Sequence, residues 1–125
     1  MSSILIIGAN GFIGLKLLEK LNFFDTFYTI SRSKFDIKNI NTYQYQFDIN
    51  KKWLFEETPD VITFCATHHK FAKLEQTPTN YVDTNISGLI KSLEYAKKTN
   101  PKCFIYFSTI SIYGSPTENI IKEDS

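Results

Sequence analysis

The chain has 125 residues, of which 42% are hydrophobic and 22% are charged, a composition typical of one soluble globular domain. Its formal net charge of +1 gives no electrostatic reason to propose nucleic acid or an anionic membrane as a partner. No apolar run approaches the roughly 20 residues of a membrane-spanning helix, and no basic segment precedes an apolar stretch at the N-terminus. The two cysteines have no paired spacing, which suggests reduced thiols, so we expect a cytoplasmic protein.

Short apolar runs alternate with helical patterns along the chain. The predicted elements are strands at residues 3–7, 27–31, 43–47, 61–65 and 103–107, helices at 12–21 and 79–98, and helical turns at 51–57 and 70–75. The third strand alternates aromatic residues with glutamine, which indicates a sheet edge. Apolar residues at helical spacing form one face of the long helix, namely Val82, Ile86, Leu89, Ile90, Leu93 and Ala96.

This order of elements predicts the architecture. Five strands joined mostly by helical crossovers indicate a parallel sheet, and right-handed connections give the strand order 3-2-1-4-5. We therefore predict an α/β fold with a Rossmann-like, doubly wound sheet. Ligands bind to such a sheet beyond the carboxyl ends of its strands, where the winding direction reverses.

The turn after the first strand carries the strongest binding signal. It reads Gly8-Ala9-Asn10-Gly11-Phe12-Ile13-Gly14, follows an apolar strand and opens a helix. Gly8 permits a tight turn, Gly11 permits a close approach of phosphates to the backbone, and Gly14 permits close packing of the helix on the sheet. The helix would direct its free N–H groups and its positive end at an anion. The turn therefore predicts a site for a dinucleotide pyrophosphate.

Residues after the other strands complete the predicted cofactor site. Together with Asn10, Phe12 and Ile13 of the glycine turn, these are Ser31, Arg32, Asp48, Ile49, Ala66, Thr67 and Ser108. A carboxylate after the second strand would bind the ribose 2′-OH of NAD, whereas an arginine suits the 2′-phosphate of NADP. Because Arg32 stands there without an acid, the pattern favours NADP over NAD. A solvated loop cation is the competing interpretation of Arg32.

The cysteine and histidine residues give no sign of a disulfide framework or of a metal site. Cys65 and Cys103 fall inside predicted buried strands, so we expect two reduced structural thiols. His68 and His69 have no Cys, Asp or Glu at ligand spacing. We interpret them as part of a polar turn and expect no metal.

Several motifs in this chain together resemble one enzyme family. They are the glycine turn and the segments Phe47-Asp48-Ile49, Asn85-Ile86-Ser87-Gly88, Phe107 to Gly114 and Glu123-Asp124-Ser125. In the same order they are similar to a GxxGFIG loop, an aspartate turn beside the adenine, an N-x-x-G segment, an S-[ST]-x-x-[VI]-Y-G signature and an acidic element. These motifs are typical of the extended short-chain dehydrogenase/reductase family, the NAD(P)-dependent sugar epimerases and dehydratases. The resemblance covers essentially the whole chain.

The resemblance implies roles for the residues after the fifth strand. Thr109 would be the catalytic-site hydroxyl that hydrogen-bonds the reacting oxygen of the substrate, and Ser108 would be its neighbour. Tyr113 would be structural. Ile110 and Ser111 stand where dehydratase members tend to place an Asp-Glu pair, which argues against that type of dehydratase.

The family's acid–base chemistry depends on a Tyr-x-x-x-Lys pair, whose lysine lowers the pKa of the tyrosine from about 10 towards neutrality. No tyrosine in this chain has a lysine four residues later. The resemblance therefore implies that residues 1–125 are the dinucleotide-binding, N-terminal part of a nucleotide-sugar epimerase or reductase, inactive without the catalytic helix and the substrate region. An interrupted reading frame, a domain produced on its own and a natural remnant all stay open.

Two other interpretations stay open. One is a non-catalytic NADP-binding module that acts through protein partners. The other is a flavodoxin-like or other doubly wound domain in which the glycine pattern occurs by chance. In the epimerase interpretation, the long helix and the edge strand at 103–107 lack their usual neighbours, and we expect self-association through these surfaces.

Overall fold

The computed structural model describes residues 2–37, 41–66, 77–108, 120 and 122–124, with residues 80 and 81 as backbone. Five parallel strands form one sheet in the order β3-β2-β1-β4-β5. They are β1 (Ser3–Ile7), β2 (Thr26–Ser31), β3 (Thr42–Gln46), β4 (Val61–Phe64) and β5 (Cys103–Tyr106). The predicted α/β fold and strand order are confirmed, and each predicted strand boundary lies within one residue of the observed one.

The central strand β1 is buried on both faces of the sheet. Ile4 and Ile6 belong to one hydrophobic cluster, with Leu18 of the first helix. Leu5 and Ile7 belong to a second cluster on the opposite face, which includes aromatic rings. All four side chains are at most 1% exposed, as expected for a parallel strand whose two faces are covered.

The helices flank this sheet. Helix α1 (Phe12–Lys20) follows the glycine turn and confirms the predicted helix there. The long helix runs from Pro78 to Thr99 as α2 (Pro78–Val82), a π-helical segment (Asp83–Gly88) and α3 (Leu89–Thr99). No described helix is both long enough and apolar enough to cross a membrane.

The apolar face of the long helix is divided between the core and the surface. Gly88, Ser92 and Tyr95 are buried, and Leu89 and Ala96 pack partly against the core. Four apolar side chains of this face are 45–53% accessible, namely Val82, Ile86, Ile90 and Leu93. We call these four residues the exposed stripe. The physical reason is close packing, because small residues allow the helix to approach its neighbours. A Cβ atom on Gly88 would lie only 2.6 Å from Cδ1 of Ile49.

The predicted helical turn at residues 51–57 is also wrong, since this segment has neither helix nor strand. Its aromatic side chains enter the core instead. Phe55 is fully buried, and its ring centroid lies 4.9 Å from that of Tyr45 and 5.5 Å from that of Tyr95. Trp53 donates from Nε1 to the carbonyl oxygen of Phe55 at 2.8 Å. Tertiary packing of rings therefore overrides the local helical preference.

The two cysteines differ in burial. Both are free thiols. Cys65 follows β4 and is partly buried, and this burial raises the pKa of its thiol to about 11. Cys103 is exposed on β5, so the prediction of a buried strand fails there, because β5 is at the edge of the described sheet. The predicted turn at 70–75 and the two histidines lie outside the described residues.

Candidate functional site

A cleft of about 360 Å³ lies at the carboxyl end of the sheet. It is bordered by the glycine turn, by the residues that follow β2, β3 and β4, and by Thr84 of the π-helical segment. The structure brings eleven of the predicted site residues together around this cleft: Gly8, Asn10, Gly11, Phe12, Ile13, Gly14, Ser31, Arg32, Asp48, Ile49 and Ala66. The order of strands therefore gathers residues that are far apart in the sequence.

The glycines of the turn meet different surroundings. Gly8 has φ of +81°, and a Cβ atom there would lie 2.6 Å from the backbone nitrogen of Ala66. A Cβ atom on Gly14 would lie 2.6 Å from the carbonyl oxygen of Gly8. On Gly11 the nearest atom to such a Cβ would be 3.5 Å away, which is an ordinary contact. The protein itself therefore needs glycine at positions 8 and 14, whereas Gly11, which lines the cleft, has room for a side chain.

The N-terminus of α1 can hold an anion. Gly11 is its N-cap, no side chain caps it, and its first turn has no acidic residue. The first N–H groups of a helix have no partner within the helix, and the positive end of the dipole lies there. Phe12 and Ile13 are 81% and 41% exposed at this position. The cleft thus combines free backbone donors with an apolar rim, which fits a phosphate group bonded to an organic moiety.

The turn after β2 presents a cation to the cleft. The carbonyl oxygen of Arg32 accepts a hydrogen bond from Nε2 of Gln46 at 3.1 Å. Ser31 donates from Oγ to the carbonyl oxygen of Ser33 at 2.7 Å, and Asn10 donates from Nδ2 to Oγ of Ser33 at 3.4 Å. These contacts hold the turn, while the Arg32 side chain is exposed. Among the described residues that line the cleft, Arg32 is the one basic residue.

The loop after β3 presents a carboxylate. Asp48 accepts a hydrogen bond at Oδ1 from the backbone N–H of Asn50 at 2.9 Å. Its carbonyl oxygen accepts another from the N–H of Lys51 at 3.0 Å. The neighbouring Ile49 is 7% exposed and belongs to the core. The loop therefore fixes Asp48 at the cleft as the one acidic residue in the described lining.

Six further residues line the cleft and were not predicted from the sequence: Ile7, Ile30, Phe47, Asn50, Cys65 and Thr84. Five of them adjoin predicted site residues or end a strand, so the topology could have identified them. Thr84 gave no such signal, because its position depends on the π-helical segment.

The other predicted residues do not join this group. Ser108 is exposed and lies outside the described lining. Thr67 and Thr109 lie outside the described residues, as do Ile110, Ser111 and Tyr113 of the signature after the fifth strand.

Comparison with known proteins identifies the family. The model of the NAD dependent epimerase/dehydratase family matches residues 4–125. Protein CapI of Staphylococcus aureus is 29% identical, over 91% of this chain and 40% of that protein. UDP-glucose 4-epimerase of Streptococcus mutans is 26% identical, over 97% of this chain and 40% of that protein. The chain thus spans about two-fifths of the length of these curated relatives.

Solved structures agree with this assignment. The UDP-Glc/GlcNAc 4-epimerase of Campylobacter jejuni superposes with a TM-score of 0.82 at 25% identity, over 98% of this chain and 42% of that one. The UDP-glucose 4-epimerase of Bifidobacterium longum, solved with NAD+ and UDP, gives a TM-score of 0.80 at 23% identity. The resemblance deduced from the motifs is confirmed. The chain belongs to the NAD dependent epimerase/dehydratase family.

Proposed function

We propose that residues 1–125 form the dinucleotide-binding portion of an NAD(P)-dependent nucleotide-sugar epimerase or reductase. The observation that carries this proposal is the open face of Gly11 beside the uncapped N-terminus of α1. It lies in the same cleft as Asp48 and Arg32. Relatives named as UDP-glucose 4-epimerases support a nucleotide sugar as the substrate class of the complete enzyme.

The residues present fit a dinucleotide. The N–H groups of the first turn of α1 would hold the pyrophosphate. The loop with Asp48 and Ile49 would border the adenosine half, as the resemblance implies. When bound, the nicotinamide supplies reversible hydride transfer. The contribution of this chain is to bind and orient the dinucleotide.

We further propose a preference for NADP. Support comes from the turn after β2, in which the exposed Arg32 lines the cleft and residues 31–34 include no acid. The backbone of this turn is held by Gln46 and Ser31, so the guanidinium group extends from a fixed position. A guanidinium suits a phosphate dianion because it can donate two parallel hydrogen bonds.

We propose that the chain has no turnover alone. No tyrosine in its sequence is followed four residues later by lysine, so the acid–base pair of the family is not provided. Thr109 would supply only one hydroxyl of the catalytic site.

The free thiols support a cytoplasmic location, and self-association would occur through the exposed stripe and the edge strand β5.

Titration and turnover assays on the purified protein test this proposal. Isothermal calorimetry should give saturable binding of NADP+ and of NAD+, with NADP+ the tighter ligand. The same preparation should not interconvert UDP-glucose and UDP-galactose in the presence of either cofactor. If the protein binds neither dinucleotide, the proposed binding role is wrong. Measurable interconversion of the two sugars would contradict the proposed inactivity.

A further inference from the structure

We propose that Lys91 is a positioning residue for the nucleotide site. It lies on α3 and holds the backbone of residues 47–51, which we call the Asp48 loop. The inference rests on the proposed function, because a correctly placed Asp48 loop matters for binding only if a nucleotide occupies the cleft. Lys91 itself lies outside the described lining of the cleft, so its effect on nucleotide affinity would be indirect.

Two short contacts carry the proposal. Nζ of Lys91 donates to the carbonyl oxygen of Asn50 at 2.6 Å and to that of Lys51 at 2.5 Å. Both acceptors are backbone atoms, so the contacts fix the path of the chain. Because the donor is an ammonium group, each bond is stronger than one between two neutral groups.

The same two residues hold Asp48. The N–H of Asn50 donates to Oδ1 of Asp48, and the N–H of Lys51 donates to its carbonyl oxygen. Lys91 thus contacts the carbonyl groups of the two residues whose N–H groups bind Asp48. Asn50 therefore links Lys91 to Asp48, because its carbonyl group accepts from Lys91 and its N–H group donates to the Asp48 carboxylate.

The long helix approaches the Asp48 loop closely at this point. Gly88 lies one turn before Lys91, and a Cβ atom on it would lie 2.6 Å from Cδ1 of Ile49 and 3.1 Å from Oδ1 of Asn50. That Oδ1 atom is buried and has no hydrogen-bond partner among the described residues. The side-chain oxygen of Asn50 therefore does not anchor the loop, which depends on backbone contacts and on the packing of Ile49.

The chain contains a natural reporter for this region. Its only tryptophan is Trp53, whose ring centroid lies 5.7 Å from that of Phe47 and 5.1 Å from that of Tyr95. Trp53 therefore connects the start of the Asp48 loop with α3. The fluorescence of Trp53 therefore reports on movement of the Asp48 loop relative to α3.

The experiment compares Lys91→Met, which keeps the apolar stem, with Lys91→Arg, which keeps a cationic donor. Lys98→Met is the matched control, because Lys98 lies two turns further along α3 and is exposed. Each purified variant is titrated with ADP by calorimetry, and its amide hydrogen exchange and Trp53 fluorescence are recorded. We expect Lys91→Met to bind ADP about tenfold more weakly and to exchange faster at the amides of Asn50 and Lys51. Lys91→Arg should recover most of the affinity, and Lys98→Met should match the wild type.

Other outcomes separate the possible failures. If the wild type binds ADP and Lys91→Met binds it equally well, the positioning role is wrong. It is also wrong if Lys91→Met accelerates exchange throughout the strands, because Lys91 would then stabilise the whole fold. If the wild-type protein binds no ADP while Lys91→Met still loosens residues 50 and 51, the proposed function fails and only the contact with the loop stands.

Discussion

The three glycines of the turn after β1 have separate structural roles. Gly8 adopts a left-handed φ against the backbone of Ala66, and Gly14 allows α1 to approach the turn. Both tasks could be predicted from sequence, because a strand–turn–helix connection of this length requires them. The open space beside Gly11 has no use within the protein. It is therefore the residue whose identity points to a ligand.

The role of Arg32 can be tested by reversing its charge. Arg32→Asp should weaken NADP+ binding by at least about tenfold while leaving NAD+ binding within about threefold of the wild type, since a guanidinium–phosphate contact contributes roughly 1.5–3 kcal/mol. Lys34→Asp is the matched control, because Lys34 is exposed nearby and lies outside the described lining of the cleft. Equal losses for both dinucleotides with Arg32→Asp, or equal effects of the two variants, would contradict the assignment. Calorimetric titration measures both affinities.

The long helix packs against its neighbours through small residues. Its apolar spacing correctly predicts a helix, but the burial of Gly88 and Ser92 follows from close packing that hydrophobicity does not encode. The buried hydroxyl of Ser92 has a hydrogen-bond partner, because it donates to the carbonyl oxygen of Gly88 at 2.8 Å. The π-helical segment also changes which side chains share a face, since its hydrogen-bond spacing differs from that of an α-helix. Thr84 could not be predicted as a cleft residue for this reason.

The exposed stripe leads to a prediction about association. The four apolar side chains Val82, Ile86, Ile90 and Leu93 are about half accessible, and such a surface favours contact with another apolar surface. We expect the protein to self-associate with rising concentration, and the double variant Ile86→Glu, Ile90→Glu to shift it towards monomer. Lys97→Glu adds an acid elsewhere on the exposed surface of α3 and should leave association unchanged. Sedimentation velocity over a concentration series distinguishes these cases, and a wild type that is monomeric throughout would contradict the prediction.

The strand order of the sheet could be predicted because β1, β2 and β4 are short, apolar and joined by chain segments long enough for crossovers. The aromatic cluster around Phe55 could not be predicted from the sequence. Phe55 lies within 5.5 Å, centroid to centroid, of Tyr28, Tyr45 and Tyr95, and these rings come from four separate parts of the chain. Only the folded topology brings them together over one face of the sheet.

Tyr95 in this cluster gives a prediction about stability and pH. It is 8% exposed, and its buried hydroxyl has no hydrogen-bond partner among the described residues. Burial, with smaller contributions from Glu57 and Glu56, raises its pKa from 10.0 to about 12. Because ionisation is easier in the unfolded chain, stability present below pH 10 is lost as the pH rises towards 12. The raised pKa of the Cys65 thiol acts in the same direction, from 9.0 to about 11.

We expect Tyr95→Phe to increase the free energy of unfolding at pH 7 by about 1 kcal/mol, because it removes a buried unsatisfied group. It should also reduce the loss of stability between pH 10 and pH 12. Tyr43→Phe is the control, since Tyr43 is 60% exposed and its replacement should change little at pH 7. Urea denaturation across this pH range gives both quantities. A marked destabilisation by Tyr95→Phe at pH 7 would show that the hydroxyl has a partner.

Gly11→Ala tests whether the cleft holds a dinucleotide against the turn at Gly11. The backbone of Gly11 is extended at φ −81° and ψ 176°, and the added methyl group would make only an ordinary contact with Gly8. We predict a loss of no more than about 1 kcal/mol in the free energy of unfolding, since alanine is a poorer N-cap than glycine, together with at least about tenfold weaker binding of NAD+ and NADP+. Gly14→Ala should instead destabilise the fold, because its methyl group would lie 2.6 Å from backbone atoms. If Gly11→Ala binds both dinucleotides as tightly as the wild type, the dinucleotide does not bind against this turn.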